Sequence, residues 1–277
     1  MKDKVKIALC QIAPKRENKA TNLKKMEELT LKAKEQGADL AIFPEMCLTG
    51  YVLHDQVYEL AEQIPGPSVK RIETLAKQTG IHIVFGMPEV SEKTQATLYN
   101  TSVLVGPEGL VGKYRKMYLP NHSVFEEKRY FRPGYQPVAF QTQLGTIGLT
   151  ICYDIFFPEV FRLTRLMGAQ LIICISASPA VRRSYFEILT AARAIENTAF
   201  LAYVNLAGIE DGLQFWGGSR LVSPTGDVLT KAKYDCEDFV FAEVDFGDLR
   251  TAEPFIPTIR DLRPELFGKL KGLSEQI

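Results

Sequence analysis

The sequence predicts an α/β protein from three observations. Short runs rich in Val, Ile and Phe alternate with segments of helical period, Gly- and Pro-bearing turns separate the two, and 277 residues suffice for one large core. With 46% hydrophobic and 24% charged residues, the composition is that of an ordinary globular chain. Thirty-three Lys and Arg balance thirty-three Asp and Glu. A net charge of zero gives no electrostatic case for nucleic acid or an acidic membrane surface, and it fits a small-molecule substrate.

In chain order, residues 5–12 read as a first strand. Asn18 is an N-cap for a helix in which Leu23, Met26, Leu29 and Ala33 recur at helical spacing up to Gly37. Strand 40–43 follows, then a helix over 68–78 closed by Gly80. Strands 81–86 and 99–105 are expected to pair antiparallel, with a turn at Gly106-Pro107-Glu108-Gly109. Further on, Ile147, Leu149 and Ile151 alternate with Thr146, Gly148, Thr150 and Cys152, which puts Cys152 on a small, polar strand face. Pro158 opens a helix that ends at Gly168, and 171–175 is a buried strand. Ser184-Tyr185-Phe186-Glu187 has capping-box form ahead of a helix with Ile188, Ala192 and Ile195 on one side. Strands Phe200–Asn205, 219–223 and 239–244 complete a domain over 1–247, and the Pro- and charge-rich stretch 248–277 reads as an arm.

No stretch approaches the ~18 apolar residues of a membrane span, and the first residues run into a strand without a signal-peptide region, so a cytoplasmic location is expected. Five cysteines, odd in number and never in a CxxC pair, argue against a disulfide framework or a zinc knuckle. Three histidines, His54, His82 and His122, are not at ligand spacing, so no metal is expected. The absence of GxGxxG and GxxxxGK[ST] leaves no case for a nucleotide, and no cofactor is expected.

Three places carry candidate chemistry. Glu45 follows a buried strand in Phe43-Pro44-Glu45-Met46-Cys47; such a carboxylate is usually a rim charge, but apolar neighbours would raise its pKa and make it a usable base. Cys152 stands where a strand gives way to a helix, a position that exposes a thiol to a cleft beside free backbone amides. The segment Lys113-Tyr114-Arg115-Lys116 is cationic, and spacing alone does not choose between Lys113 and Lys116. A Cys–His hydrolase with His122 as the base also remains open.

Taken together and in order, Phe43-Pro44-Glu45, Gly112-Lys113-Tyr114-Arg115-Lys116 with Leu119-Pro120, Cys152-Tyr153-Asp154 with Phe157-Pro158-Glu159, and Arg193-Ala194-Ile195-Glu196-Asn197 resemble the nitrilase, or carbon–nitrogen hydrolase, superfamily. Leu119-Pro120-Asn121, Phe125-Glu126-Glu127, Asn205 and Gly217-Gly218-Ser219 are similar to the glutaminase domain of glutamine-dependent NAD synthetase. The resemblance implies a four-layer αββα sandwich of two facing mixed sheets with helices outside. It implies Glu45, Lys116 and Cys152 as a catalytic set, with Glu127 shaping the site and the Tyr153 amide serving the oxyanion. The reaction implied is hydrolysis of a non-peptide carbon–nitrogen bond, releasing ammonia from a small amide through a Cys thioester. An N-carbamoyl amidohydrolase is the alternative. Relatives that hydrolyse nitriles usually carry Cys-Trp-Glu, whereas Cys-Tyr-Asp here favours an amide. Arg182, Arg183 and Tyr51 are candidate substrate contacts. A homodimer is also implied, with 159–167 on an outer helix as its candidate contact and the arm as a possible second one.

Overall fold

Alternating residues of the first strand commit to two different cores. The computed structural model describes residues 2–276, and in β1 (Lys4–Gln11) the side chains of Val5, Ile7 and Leu9 join one apolar cluster while Ala8 and Cys10 join another. A strand buried on both faces needs a layer on each side, and the chain supplies both. Helix α1 (Lys19–Glu35) starts where expected, with Asn18 accepting from the Thr21 N–H. It leads to β2 (Leu40–Ile42), the short α2 (Val57–Leu60), and α3 (Pro67–Thr79), which Gly80 closes in the left-handed conformation. Strands β3 (His82–Val90), β4 (Leu98–Gly106) and β5 (Gly109–Arg115) then run as antiparallel neighbours.

A short α4 (Glu127–Tyr130) crosses to the second half, which contains β6 (Val138–Thr142), β7 (Gly145–Ile151), α5 (Pro158–Leu166), β8 (Leu171–Ser176), α6 (Arg183–Asn197) and β9 (Phe200–Asn205). A separate hairpin, β10 (Ala207–Glu210) and β11 (Leu213–Trp216), precedes β12 (Arg220–Val222) and β13 (Val228–Lys231). Finally β14 (Asp238–Asp245) returns to pair antiparallel with β1, so the end of the domain closes on its beginning. The sheet orders are β14-β1-β2-β3-β4-β5 and β13-β12-β9-β8-β7-β6, each mixed, with three parallel strands at the centre.

Between the sheets, Ile7, Leu9, Ile42, Val84 and Leu104 meet Ile147, Leu149 and Ile151 in one cluster. Outside the first sheet, Ala8 and Cys10 pack under Leu23 and Met26 of α1 and Ile72 and Ala76 of α3. Outside the second sheet lie α5 and α6. The small face of β7 faces α5, so closely that a Cβ at Gly148 would overlap Thr164 Cγ2. This is the four-layer αββα arrangement.

Two local expectations fail in α6. The helix begins at Arg183 with no side-chain cap, so Ser184 lies inside its first turn. Its inward face is Phe186, Thr190, Arg193, Ala194 and Asn197, while Ile188 and Ile195 are 68% and 38% exposed. Both stripes have helical period; the polar one is inside because its groups find partners there. Arg193 Nε donates to the Ile155 carbonyl (2.8 Å) and Asn197 Nδ2 to the Arg193 carbonyl (2.9 Å). Beyond β14, α7 (Gly247–Ala252) buries Leu249 and Ala252, whereas α8 (Pro264–Ser274) is exposed along its whole length.

Candidate active site

Glu45 lies three residues beyond β2, in a loop that Met46 bends through the left-handed region (φ 52°). The loop lies on β3 so tightly that a Cβ at Gly86 would come within 2.7 Å of the Glu45 Cα. The carboxylate is fully buried and fully engaged. Its Oε1 accepts from Asn100 Nδ2 (2.7 Å) and Lys116 Nζ (2.8 Å), and its Oε2 accepts from the Ala177 N–H (2.6 Å) just past β8 of the other sheet.

Lys116 sits one residue beyond the edge strand β5. Its N–H donates to the Asn100 carbonyl (2.9 Å) and its carbonyl accepts from Gly134 N–H (2.8 Å), so the backbone is clamped on both sides. Burial acts to strip the ammonium of its proton, but Glu127 and Glu45 outweigh it and hold the Lys116 pKa well above the ordinary value. Lys113 is turned elsewhere: it donates to buried Glu89 (2.6 Å), which Arg115 also grips (2.6 and 2.9 Å). Of the two lysines that spacing left open, Lys116 is the one that reaches Glu45.

Glu127, the first residue of α4, accepts at Oε1 from Lys116 Nζ (2.6 Å) and from the Tyr51 hydroxyl (2.6 Å). Its Oε2 is buried with no partner among the described residues. Burial, reinforced by the Glu45 charge and opposed by Lys116 and Tyr51, pushes this carboxyl up to about 7.

Cys152 opens a 3-10 turn, Cys152–Phe156, with φ 44°. A left-handed non-glycine residue costs free energy and persists only where its surroundings enforce it. Here Asp154 does so: Oδ2 accepts from Ile151 N–H (3.0 Å) and the Tyr114 hydroxyl (2.7 Å), Oδ1 from Tyr118 N–H (3.0 Å). Arg193 holds the next carbonyl along. The left-handed turn ends the strand alternation, so the thiol does not belong to the polar face of β7; it is 5% exposed and joins the apolar cluster with Ile151 and Ile155. Burial, then the Glu45 charge, drives the thiol pKa well above the usual range, and Lys116 opposes them. The charged groups that act on Cys152 are thus Glu45, Lys116 and Glu127. His122 lies at the exposed rim against Phe125 and Tyr153, with no hydrogen bond to the thiol.

A cleft of about 180 Å³ opens onto Cys152, lined by Tyr153, His122, Phe125, Phe156, Phe186 and Arg182 among others. Arg182 has no carboxylate partner among the described residues and rests 5.8 Å from the Tyr185 ring. Arg183 does not line this cleft: it lies over the Tyr234 ring (3.5 Å) beside Glu187 (3.5 Å). Tyr51 acts through Glu127 and lines a second cavity on that side. Among the described residues no group of three or more His, Cys, Asp or Glu is placed to hold a metal ion, and no helix is long and apolar enough to cross a membrane.

Asn100, Asp154, Tyr114 and the Ala177 amide carry no role in the sequence reading. Asp154 had a signal, two residues after the thiol; the other three are brought in only by strand pairing and sheet facing.

The raised carboxyls make stability pH-dependent. Asp154 is pushed up to about 6 by burial and Glu127 to about 7, so between about pH 4 and 7 the folded protein holds protons that the unfolded chain has released. Stability from these two groups is present below that window, falls as pH rises through it, and levels off above. Urea midpoints at pH 5, 6, 7 and 8 should decline and then flatten, and Glu127→Gln should remove the decline between about pH 6 and 7.

The sequence model of carbon-nitrogen hydrolases matches residues 6–253. The chain is 37% identical over 246 residues to a protein named nitrilase from Pyrococcus abyssi, covering 87% of this chain and 90% of that one. It is 33% identical over 258 residues to omega-amidase NIT2 of Xenopus tropicalis, covering 90% and 92%. A double mutant of the amidase from Nesterenkonia sp. AN1, solved in complex with acrylamide, superposes with a TM-score of 0.85 at 28% identity, over 97% of this chain and 98% of that one. A match that spans nearly all of both sheets, on a buried Glu–Lys–Glu cluster facing a cysteine, is one of membership: the chain belongs to the carbon–nitrogen hydrolase family.

Proposed function

We propose that the protein is an amidase of the omega-amidase kind, releasing ammonia from the terminal amide of a short carboxylic acid through a thioester on Cys152. The observation that carries this reading is the buried cluster Glu45–Lys116–Glu127 around Cys152, at the foot of a cleft with an unneutralised Arg182 on its wall. The amidase and omega-amidase relatives and the Cys-Tyr-Asp sequence support an amide over a nitrile.

In the proposed cycle Glu45 takes the proton of Cys152 as Sγ attacks the amide carbon. The thiol is held protonated by its surroundings, so the carboxylate beside it removes the proton only as the new bond forms. The oxyanion is received by the Lys116 ammonium and the Tyr153 N–H. Glu127 Oε2, free of other partners, accepts from the scissile NH₂ and turns the nitrogen toward Glu45, which returns the proton as the C–N bond breaks and ammonia leaves. A water then gives its proton to Glu45 and attacks the thioester; the thiolate departs, regains that proton, and the acid is released. Every proton passes through one carboxylate, and no cofactor enters. At the far end of the substrate, a carboxylate pairs with Arg182 while its methylenes lie among Phe125, Phe156 and Phe186.

We also propose a homodimer through the outer helices. Leu163, Leu166 and Met167 of the 159–167 segment and Ile188 and Ile195 of α6 form an exposed apolar face, and Leu266, Phe267 and Leu270 of the terminal arm offer a second. The five free cysteines fit the reducing cytoplasm.

Cys152→Ala should abolish ammonia release with the fold intact, and full activity in it would sink the assignment. Lys116→Ala should lower kcat more than ~100-fold, whereas Lys113→Ala, which leaves Glu89 to Arg115, should change kcat little. Arg182→Met should raise KM for a dicarboxylic acid monoamide such as succinamate about tenfold or more and leave a neutral amide of equal length unaffected; equal effects on both would remove the carboxylate from the proposal. Light scattering should give twice the 31.1 kDa chain mass, and Leu166→Glu should halve it.

A further inference from the structure

The β10–β11 hairpin belongs to neither large sheet; its strands form a two-stranded sheet of their own, with one further bridge from Phe215 to Pro179. Its work is done at one end. Glu210, the last residue of β10 and 7% exposed, accepts at Oε2 from the Tyr51 N–H (2.7 Å) and the Val52 N–H (3.0 Å). Its Oε1 has no partner among the described residues and lies where a Cβ on Gly50 would be 3.3 Å away. The next residue, Asp211, meets His54 Nε2 (3.2 Å), and Phe215 of β11 sits edge-on to the Tyr51 ring at 5.9 Å. The hairpin therefore grips residues 50–54 by backbone, by ring and at the far end.

That segment carries a single hydroxyl into the site. Tyr51 donates to Glu127 Oε1 at 2.6 Å, the same oxygen that receives the Lys116 ammonium. With both donors on Oε1, the carboxylate cannot pivot about the Lys116 contact, and Oε2 keeps one direction. A displacement of about 1 Å in the Tyr51 backbone is enough to break so short a bond. Burying a carboxylate on two backbone amides is costly, and what it fixes here is the reach of Tyr51.

We infer that Glu210 is a positioning residue for the hydrolysis: by clamping the Tyr51 and Val52 amides it aims the Tyr51 hydroxyl at Glu127 and so sets where the free oxygen of Glu127 meets the scissile nitrogen. The inference rests on the amidase reading above. The groups facing Glu127 are Lys116, Glu45 and Tyr51; the charges around Glu210 are Arg16, with Asp211 and His54 beyond it.

The test uses Glu210→Ala, Glu210→Gln, Tyr51→Phe and the Glu210→Ala/Tyr51→Phe double variant, on any amide that the wild type turns over. Glu210→Ala should lower kcat about tenfold with KM within about twofold, because Arg182 and the cleft are untouched. Tyr51→Phe should match it, and the double variant should be no slower than the slower single. Glu210→Gln should restore most of the rate, since its amide oxygen accepts the same two N–H groups. The acid limb of the kcat–pH profile should move to higher pH in Glu210→Ala and Tyr51→Phe alike, because the Tyr51 bond favours the ionised Glu127 carboxyl. A lower melting temperature with kcat and pH profile unchanged, or losses that multiply in the double variant, would overturn the inference. The Cys152→Ala control separates the two failures: hydrolysis surviving in it removes the amidase reading, whereas hydrolysis lost there but indifferent to Glu210 removes only this inference.

Discussion

A fully buried ammonium governs this molecule. Lys116 is enclosed at the meeting of the two sheets, where an isolated charge would cost several kcal/mol even after relaxation, and it is held by Glu45 at 2.8 Å and Glu127 at 2.6 Å. The cluster tolerates no loosening, because removing one partner leaves another charge stranded. Much of the surrounding backbone follows from that demand. Gly86 lets the Glu45 loop lie flat on β3, Gly134 and Asn100 clamp the lysine backbone, and Asn100 turns its side chain to the same carboxylate oxygen.

A second layer of buried polar groups keeps the thiol in its strained position. Asp154 collects donors from β7, β5 and the segment after β5, and Arg193 on α6 ties the turn to the outer helix. The interior face of α6 therefore mixes Phe186 and Ala194 with buried Thr190, Arg193 and Asn197, while Ile188 and Ile195 are left outside. The turn that carries the thiol thus supplies the partner that lets Arg193 lie on the buried side of the helix packed against it.

The legible part of the sequence is what local chemistry writes. The strand run of residues 5–12, the alternation in 147–151, the Asn18 cap, Gly80 as a helix stop and the Gly106–Gly109 turn all act over a few residues, and the structure follows them. Glu45, Lys116, Glu127 and Cys152 were legible only as a set of motifs in order, since spacing could not separate Lys116 from Lys113. The illegible part is what distant pairing writes. Asn100 meets Glu45 because β3 pairs with β4, and Ala177 meets it because the sheets face each other. In α6 the sequence offered two stripes of equal period, and only the partners supplied by Ile155 and the helix backbone decide between them. Cys152 left its expected face because one positive φ resets the alternation, and nothing local to β7 announces it.

The short bond between Glu45 Oε2 and the Ala177 amide spans the interface between the sheets, while the other oxygen of the same carboxylate receives Lys116. On the proposed cycle, neither half of the chain holds a complete set of reacting groups. The apolar layer between them then acts as a ruler whose thickness the proposed reaction would read. A methylene lost or gained at Leu104 or Leu149, remote from any substrate, changes the distance across which proton and nucleophile must meet. On the proposed cycle, interior packing therefore bears on chemistry as well as on stability, and a core substitution there is felt in both.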